Sequence, residues 1–227
     1  MALIGLNRDE LDLSQLPKDS LYDPKRDDDL SGIQVRMTIT FRITNPDGTV
    51  VKEWTEPAHS LNVNFVNIIQ ALWAAAQQSV VNTSGTGVTI QGASGGAWSI
   101  NAPSGNDAYG IVVGSGQTPG NTPIPSTSSL AAQIPNGISS GQLEYGAVSI
   151  SSVSTSGQTT SFTISRSFTN VSGATINVNE IGIVALVSGF GLSSSQYVLI
   201  AYDIPSSNIA IQNGQTLTII YTFSVVT

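Results

Sequence analysis

Residues 33–44 read Ile-Gln-Val-Arg-Met-Thr-Ile-Thr-Phe-Arg-Ile-Thr, and this stretch decides the fold class. Apolar residues occupy every odd position, and polar residues occupy every even one. Successive side chains of a β-strand point to opposite faces, so this period of two predicts a strand with one buried face. The segment Asn45-Pro46-Asp47-Gly48 that follows has the composition of a type I turn. Residues 49–56 are therefore predicted to return as the second strand of a hairpin.

The C-terminal half of the chain contains further strands of the same kind. Residues 217–225 also carry apolar side chains at each odd position. Breaks rich in Gly, Ser and Asn separate five strand-like stretches, at residues 143–153, 159–169, 175–187, 197–204 and 216–226. Several strands at this spacing are typical of a sandwich or a jelly roll. The sequence therefore predicts an all-β fold, a jelly-roll-like β-sandwich.

One segment changes from the period of a strand to that of a helix. Over residues 62–78, the end of the segment has high helix propensity, and apolar side chains recur at the spacing of one helix face: Phe65, Ile68, Ile69, Leu72, Trp73 and Ala76. We predict a single α-helix there, with Ser60 or Asn62 as its N-cap. The region near residues 82–140 is rich in Gly and Ser, which predicts long loops with short strands embedded at three apolar bursts, residues 88–90, 98–100 and 109–113.

Charged residues are concentrated at the N terminus. Residues 1–30 hold eight acidic and four basic residues, whereas residues 61–227 hold only five charged residues. The polar residues of that longer stretch include 43 serines and threonines. We predict an acidic, extended arm over residues 1–31 and a single β-sandwich domain over residues 32–227. Leucines recur along the arm without a helical period, at positions 3, 6, 11, 13, 16 and 21.

The arm also carries an acidic triplet, Asp27, Asp28 and Asp29. The triplet lacks the alternating ligands and the glycine of an EF-hand loop, so we interpret it as solvated charge. We expect the arm, including this triplet, to contribute to assembly.

The composition excludes several classes of protein. The 227 residues include no cysteine and one histidine, and the net charge is −7. These values exclude a disulfide scaffold, a cysteine-based zinc site, a thiol enzyme and a polybasic nucleic-acid binder. No apolar run approaches the ~20 residues that span a bilayer, and charges within the first sixteen residues argue against a signal peptide. We expect no cofactor, no nucleic-acid partner and no membrane partner; calcium held by Asp107 and loop carbonyls is the alternative.

Three motifs suggest enzymatic chemistry only superficially. Gly114-Ser115-Gly116 matches no phosphate-loop pattern and has no lysine nearby. His59 and Ser60 are adjacent, which rarely presents a base to a nucleophile, and no Gly-x-Ser-x-Gly elbow is present. Glu144 and Glu180 are the plausible carboxylate pair of a glycosidase, but Glu180 has a competing interpretation. We therefore predict that the protein is not an enzyme.

Arg166 and Glu180 form the site that we predict from spacing. Each shares a strand face with apolar residues, and Gly173 suits the left-handed position of a short loop between the two strands. With a loop over residues 172–174, the register places Arg166 directly opposite Glu180, within reach of a salt bridge. We predict a buried structural ion pair that sets this register, because two unpaired charges facing an apolar layer would be unfavourable.

Several motifs follow one another along the chain in an order that resembles the one found in structural proteins of tailed phages and related viruses. Its densest part is Arg166-Ser167-Phe168-Thr169-Asn170 followed by Ile176 through Ile183. The arm and residues 82–106 do not belong to the resemblance. The other motifs that carry it are the segments 48–51, 58–65, 109–116, 143–146 and 213–218.

This resemblance implies a virion component, in the capsid, a turret or the tail, made in the host cytoplasm and without catalytic residues. Its partners would be other copies of itself and other virion proteins. We predict a virion structural protein whose weakly charged surface packs against neighbouring subunits. Exposed aromatic residues on a β-sandwich can also form a sugar platform. The alternative is therefore a receptor- or glycan-binding module of a viral fibre or tail tip, with a host surface receptor as partner.

Overall fold

Two antiparallel sheets pack around a shared apolar core. The computed structural model describes residues 34–58 and 61–226, and it confirms the all-β, sandwich-like fold. The acidic arm with Asp27, Asp28 and Asp29 lies outside the described residues, as does the pair His59-Ser60.

The elements follow one another along the chain as strands, with one α-helix among the described residues. In chain order they are β1 (Gln34–Thr44), β2 (Val50–Pro57), α1 (Val63–Ala74), β3 (Gln77–Val81), β4 (Gly87–Gln91), a 3₁₀ turn (Gly92–Ser94), β5 (Gly96–Ser99), β6 (Gly110–Gly114), β7 (Glu144–Tyr145), β8 (Ser149–Ile150), β9 (Ser154–Ser156), β10 (Thr159–Thr169), β11 (Ile176–Val178), β12 (Glu180–Gly189), β13 (Gln196–Asp203), β14 (Ile209–Ile211) and β15 (Thr216–Val226).

The larger sheet has the two cleanly alternating stretches at its centre. Its order is β2, β1, β15 and β10, with β7, β8 and β9 along the outer edge of β10. β1 and β15 pair over their full lengths, from Gln34 opposite Val226 to Thr44 opposite Thr216. The inward side chains in the middle of this pair are buried, among them Phe41 and Ile219, which lie opposite each other, whereas Val35 at the start of β1 is exposed. The predicted β1–β2 hairpin is confirmed, with a bulge at Thr44.

The smaller sheet is centred on β12. β13 pairs with one edge of β12, and β6 and β5 pair end to end along the other edge. Both faces of β12 are covered over residues 180–185, all of which are buried. The covering is tight at Gly182, where an added Cβ would lie 2.6 Å from a methyl carbon of Leu130 and 2.7 Å from one of Leu199. β11, which precedes β12, and β14, which follows β13, form a separate short antiparallel pair.

The predicted helix is present, but it is shorter than the prediction. The Asn62 side chain caps it, accepting hydrogen bonds from the N–H groups of Asn64 at 3.1 Å and Phe65 at 3.3 Å. The helix ends where Ala75 takes a left-handed backbone conformation with φ of 48°. Gln77 and Gln78 belong instead to β3, which pairs with β4. No helix in the described ranges is long and apolar enough to cross a membrane.

The Gly/Ser-rich region contains strands where the sequence predicts them. The three apolar bursts correspond to β4, β5 and β6. By contrast, the predicted strand over residues 143–153 is reduced to the short strands β7 and β8. Gly146 still donates to Ser167 O of β10, whereas the Val148 N–H donates to Ala102 O in the loop region, each at 2.8 Å, so the chain departs from β10 between β7 and β8.

Candidate functional site

Arg166 is a buried cation held by main-chain carbonyls. It lies on the inward face of β10 and is 1 % exposed. Its guanidinium donates five hydrogen bonds, which uses every N–H donor that an arginine has. The acceptors are the carbonyl oxygens of Gly146 (2.8 Å), Tyr109 (3.0 Å), Ile111 (2.8 Å), Pro103 (3.3 Å) and Asn106.

The Tyr145 ring completes the environment of this cation. The Arg166 guanidinium carbon lies 4.7 Å from the centre of that ring, a cation–π contact. Burial lowers the pKa of Arg166, while nearby Tyr145 and Asp107 oppose this shift. An arginine stays protonated inside proteins, so a positive charge is fixed in the core.

Glu180 is a buried anion held mainly by main-chain N–H groups. It is the first residue of β12 and is 0 % exposed. Its Oε1 accepts from the N–H groups of Gly116 at 3.0 Å and Ala132 at 2.8 Å. Its Oε2 accepts from the Ala131 N–H and the Tyr202 hydroxyl, both at 2.8 Å. The carboxylate therefore has four hydrogen-bond donors and needs no cation beside it.

The predicted ion pair between Arg166 and Glu180 is wrong, although both residues are buried as that prediction required. Arg166 lies opposite Ile219 in the larger sheet, whereas Glu180 lies opposite Gly114 in the smaller one. The ion pair within 4.0 Å among the described residues is Arg42–Glu53, on the surface.

Asn170 explains why the predicted register does not form. Its side-chain amide donates to the carbonyl oxygens of Ala174 and Ile211, each at 2.7 Å, and its own N–H donates to Gln215 O at 2.9 Å. These bonds tie the turn after β10 to the segment between β14 and β15. The chain therefore leaves the larger sheet, and β11 pairs with β14 instead of with β10. Gly173 does adopt the left-handed conformation predicted for it, with φ of 84°.

The two buried charges hold the long loop region from both sides of β6. Arg166 binds carbonyls in residues 103–111, ahead of and within β6, and Glu180 binds N–H groups at residue 116 and at 131–132, after it. The Gly114-Ser115-Gly116 segment wraps this carboxylate closely. A Cβ on Gly114 would lie 2.5 Å from Glu180 Oε1, so the glycine is required there by close approach.

Other titratable groups form no catalytic or metal cluster in the parts of the chain that the structure describes. Glu144 is exposed and Glu180 is buried, so they do not form the carboxylate pair of a glycosidase. Asp203 is buried and accepts a hydrogen bond of 2.8 Å from the Tyr221 hydroxyl. Asp107 accepts from the Asn136 N–H at 2.7 Å. No group of three metal-ligating side chains occurs within residues 34–58 and 61–226. The absence of a cofactor stays a prediction.

The outward face of α1 carries three exposed apolar side chains, with the polar Gln70 between two of them. Val63, Val66 and Trp73 follow the three- and seven-residue spacing of one helix face, and Trp73 is 86 % exposed. We call these three residues the α1 patch. The sequence pattern placed Trp73 on the same apolar helix face as Ile68, but in the structure Ile68 is buried and Trp73 is exposed. The opposite side of the helix, with Ile68 and Ala71, faces the core.

The surface formed by residues 61–226, which include α1, carries few charges. Of the five charged residues after residue 60, Arg166, Glu180 and Asp203 are buried. Only Asp107 and Glu144 reach the surface of residues 61–226.

A second surface feature is a pair of tyrosines beside a shallow cavity. The rings of Tyr109 and Tyr197 stack with their centres 6.2 Å apart, and Tyr197 is 39 % exposed. The cavity, about 330 Å³, is bordered by Tyr197, Asp107 and Gln133.

Comparison with known proteins gives no match to a family model, to a curated protein or to a solved structure.

Proposed function

We propose that the protein is a virion structural protein that packs against neighbouring subunits through the α1 patch. The exposure of Trp73 supports this proposal most directly, because a large apolar side chain gains free energy when a partner removes it from water. Val66, which is 58 % exposed, adds to the apolar area that the helix exposes. Contiguous exposed apolar patches are typical of interaction sites.

The low surface charge also supports packing between identical copies. Like charges on identical subunits repel each other, and residues 61–226 present only Asp107 and Glu144. The association is therefore driven by apolar contact and is insensitive to salt. The motif order that resembles phage structural proteins gives the proposed setting, a capsid, turret or tail. The contribution of the acidic arm remains a prediction.

The α1 patch can be tested by substitutions in the full chain. We expect wild-type protein to form oligomers that sedimentation velocity and electron microscopy detect at both about 0.1 M and about 1 M salt. The double variant V66S/W73S should sediment as a smaller species. The matched control is I124S/I138S, two isoleucines that are each 64 % exposed outside the helix, and it should behave as wild type.

Two outcomes would contradict the proposal. If wild type stays monomeric at every concentration, or if V66S/W73S assembles normally, the α1 patch is not an assembly surface. For the virion setting, antibodies raised against the chain should label purified virus particles from the source cells. If the protein forms oligomers but the antibodies do not label virus particles, the chain has a structural role outside the virion.

The tyrosine pair favours a second candidate, a receptor- or glycan-binding module. An exposed aromatic ring can stack on a sugar, and the nearby Asp107 carboxylate and Gln133 amide can bind hydroxyl groups. A glycan array would distinguish the two candidates, because a structural subunit binds no sugar, whereas a glycan-binding module binds a defined set of glycans. The Tyr197→Ala variant of such a module should no longer bind those glycans.

A further inference from the structure

An apolar cavity of about 380 Å³ opens between the two sheets. The larger sheet contributes Phe162, Ile164 and Phe223, the smaller sheet contributes Ile183 and Ile200, and α1 contributes Phe65. All twelve described residues that line it are apolar. Water in such a cavity finds no hydrogen-bond partner, so an apolar occupant is favoured.

A neighbouring groove shares two lining residues with this cavity and reaches the start of β1. The groove, about 240 Å³, runs along the same end of the larger sheet and is bordered by Val35, Val153 and Val225. Phe162 and Phe223 line both the groove and the cavity, and their rings stack with centres 5.2 Å apart. Val35, which is 72 % exposed, therefore lines a groove that adjoins the intersheet cavity at Phe162 and Phe223.

The chain that precedes β1 supplies a suitable occupant. Residues 1–33 join the described structure at Gln34, directly beside the groove. They include Leu11, Leu13, Leu16 and Leu21. We propose that residues 11–21 of the arm dock through their leucines into the intersheet cavity of the chain that carries them. This inference concerns the single chain and does not rest on the proposed function.

Volume and chain length agree with this docking. An apolar cavity of about 150 Å³ holds a benzene molecule, so 380 Å³ has room for about two apolar groups of that size, such as two leucine side chains. Phe223 lies opposite Met37, two residues along β1 from Val35. The fourteen residues from Leu21 to Val35 can span up to about 46–50 Å, far more than the return path requires. Attachment to the same chain also gives the leucines a high effective concentration at the groove.

Methyl NMR on the full chain can test the contact. With labelled leucine methyl groups, we expect cross-relaxation between the arm leucines and the rings of Phe162 and Phe223. Absence of these signals, with arm methyl shifts at random-coil values, would overturn the proposal. A sample mixed from differently labelled chains identifies the donor: signals that arise only between chains would assign the occupant to a second copy and also overturn it.

A dye-binding experiment gives an independent readout. The variant L11S/L13S/L16S should leave the cavity open. It should therefore bind anilinonaphthalene sulfonate, a dye that fluoresces in apolar sites, more strongly than wild type while keeping its far-UV circular dichroism. The matched arm control is D27N/D28N/D29N, which keeps the leucines and should bind dye as wild type does. Equal dye binding by wild type and the leucine variant would overturn the proposal.

Discussion

The Tyr202 hydroxyl donates a hydrogen bond of 2.8 Å to Glu180 Oε2 and completes the set of donors around that buried carboxylate. Tyr202 lies on β13, whereas the N–H donors of Ala131 and Ala132 come from the long loop region. Glu180 therefore ties a strand to a loop. Burial, together with the bond to Glu180, raises the pKa of Tyr202, so its hydroxyl keeps its proton at neutral pH.

Replacing Tyr202 by phenylalanine should destabilise the fold. The change removes one donor from a buried anion, and a hydrogen bond to a charged group contributes about 1.5–3 kcal/mol. Urea unfolding should show this loss. Tyr197→Phe, at a partly exposed position, should stay within about 0.5 kcal/mol of wild type. Equal effects of the two substitutions would show that the Glu180 bond contributes little.

Arg166→Lys should destabilise the protein strongly although it keeps the charge. Lysine has three donors where arginine has five, so at least two buried carbonyl groups lose their partner. At about 1–3 kcal/mol per unsatisfied group, we expect a loss of about 2–6 kcal/mol in urea unfolding. Hydrogen exchange should also accelerate in residues 103–111. The control is Arg42→Lys at the exposed pair with Glu53, where the change should stay below about 1 kcal/mol.

Gly114→Ala should destabilise the loop that surrounds Glu180. The added Cβ would lie 2.5 Å from Glu180 Oε1 and 2.6 Å from Ala132 O, so the backbone must shift, at about 1–3 kcal/mol. Thermal or urea unfolding measures the loss. Gly87→Ala is the matched control, since its nearest neighbour, Ser79 Oγ, would be 3.9 Å away. A tolerated alanine at residue 114 would contradict the close approach.

Stability should fall at alkaline pH. Burial raises the pKa of Tyr145, Tyr202 and Tyr221 above the usual value of 10.0. Above pH 10 the unfolded chain releases these protons first, so it binds fewer protons than the folded state and unfolding becomes easier. Each such tyrosine contributes a decrease of about 1.4 kcal/mol per pH unit above pH 10 and no change below it.

The slope of that decrease identifies the groups responsible. Tyr221→Phe removes one of the three tyrosines, so the free energy of unfolding should fall less steeply above pH 10 than in wild type. Urea unfolding at a series of pH values measures the slope separately from the loss of the Tyr221–Asp203 hydrogen bond, which lowers stability at every pH. An unchanged slope would show that the Tyr221 hydroxyl ionises equally in both states.

Periodicity by itself determined the long strands, the presence of the helix and the burial of several key side chains. The alternation in β1 and β15 assigned Phe41 and Ile219 to a buried face, and the structure confirms both. The same reasoning placed Arg166 and Glu180 among buried residues, correctly. Which face a side chain occupies depends on local backbone geometry, and local sequence encodes that geometry.

Only the tertiary structure decided what those buried charges contact. Arg166 binds carbonyl groups up to 63 residues away in the chain, and Glu180 binds N–H groups up to 64 residues away. No side-chain pattern marks these partners, because every residue carries the same main-chain carbonyl and almost every residue the same N–H. Asn170 redirects the chain between sheets through contacts with residues 211 and 215, which a local register argument does not include. Likewise, the helical period placed Trp73 on an apolar helix, but its exposure depends on which side of α1 the sheets cover.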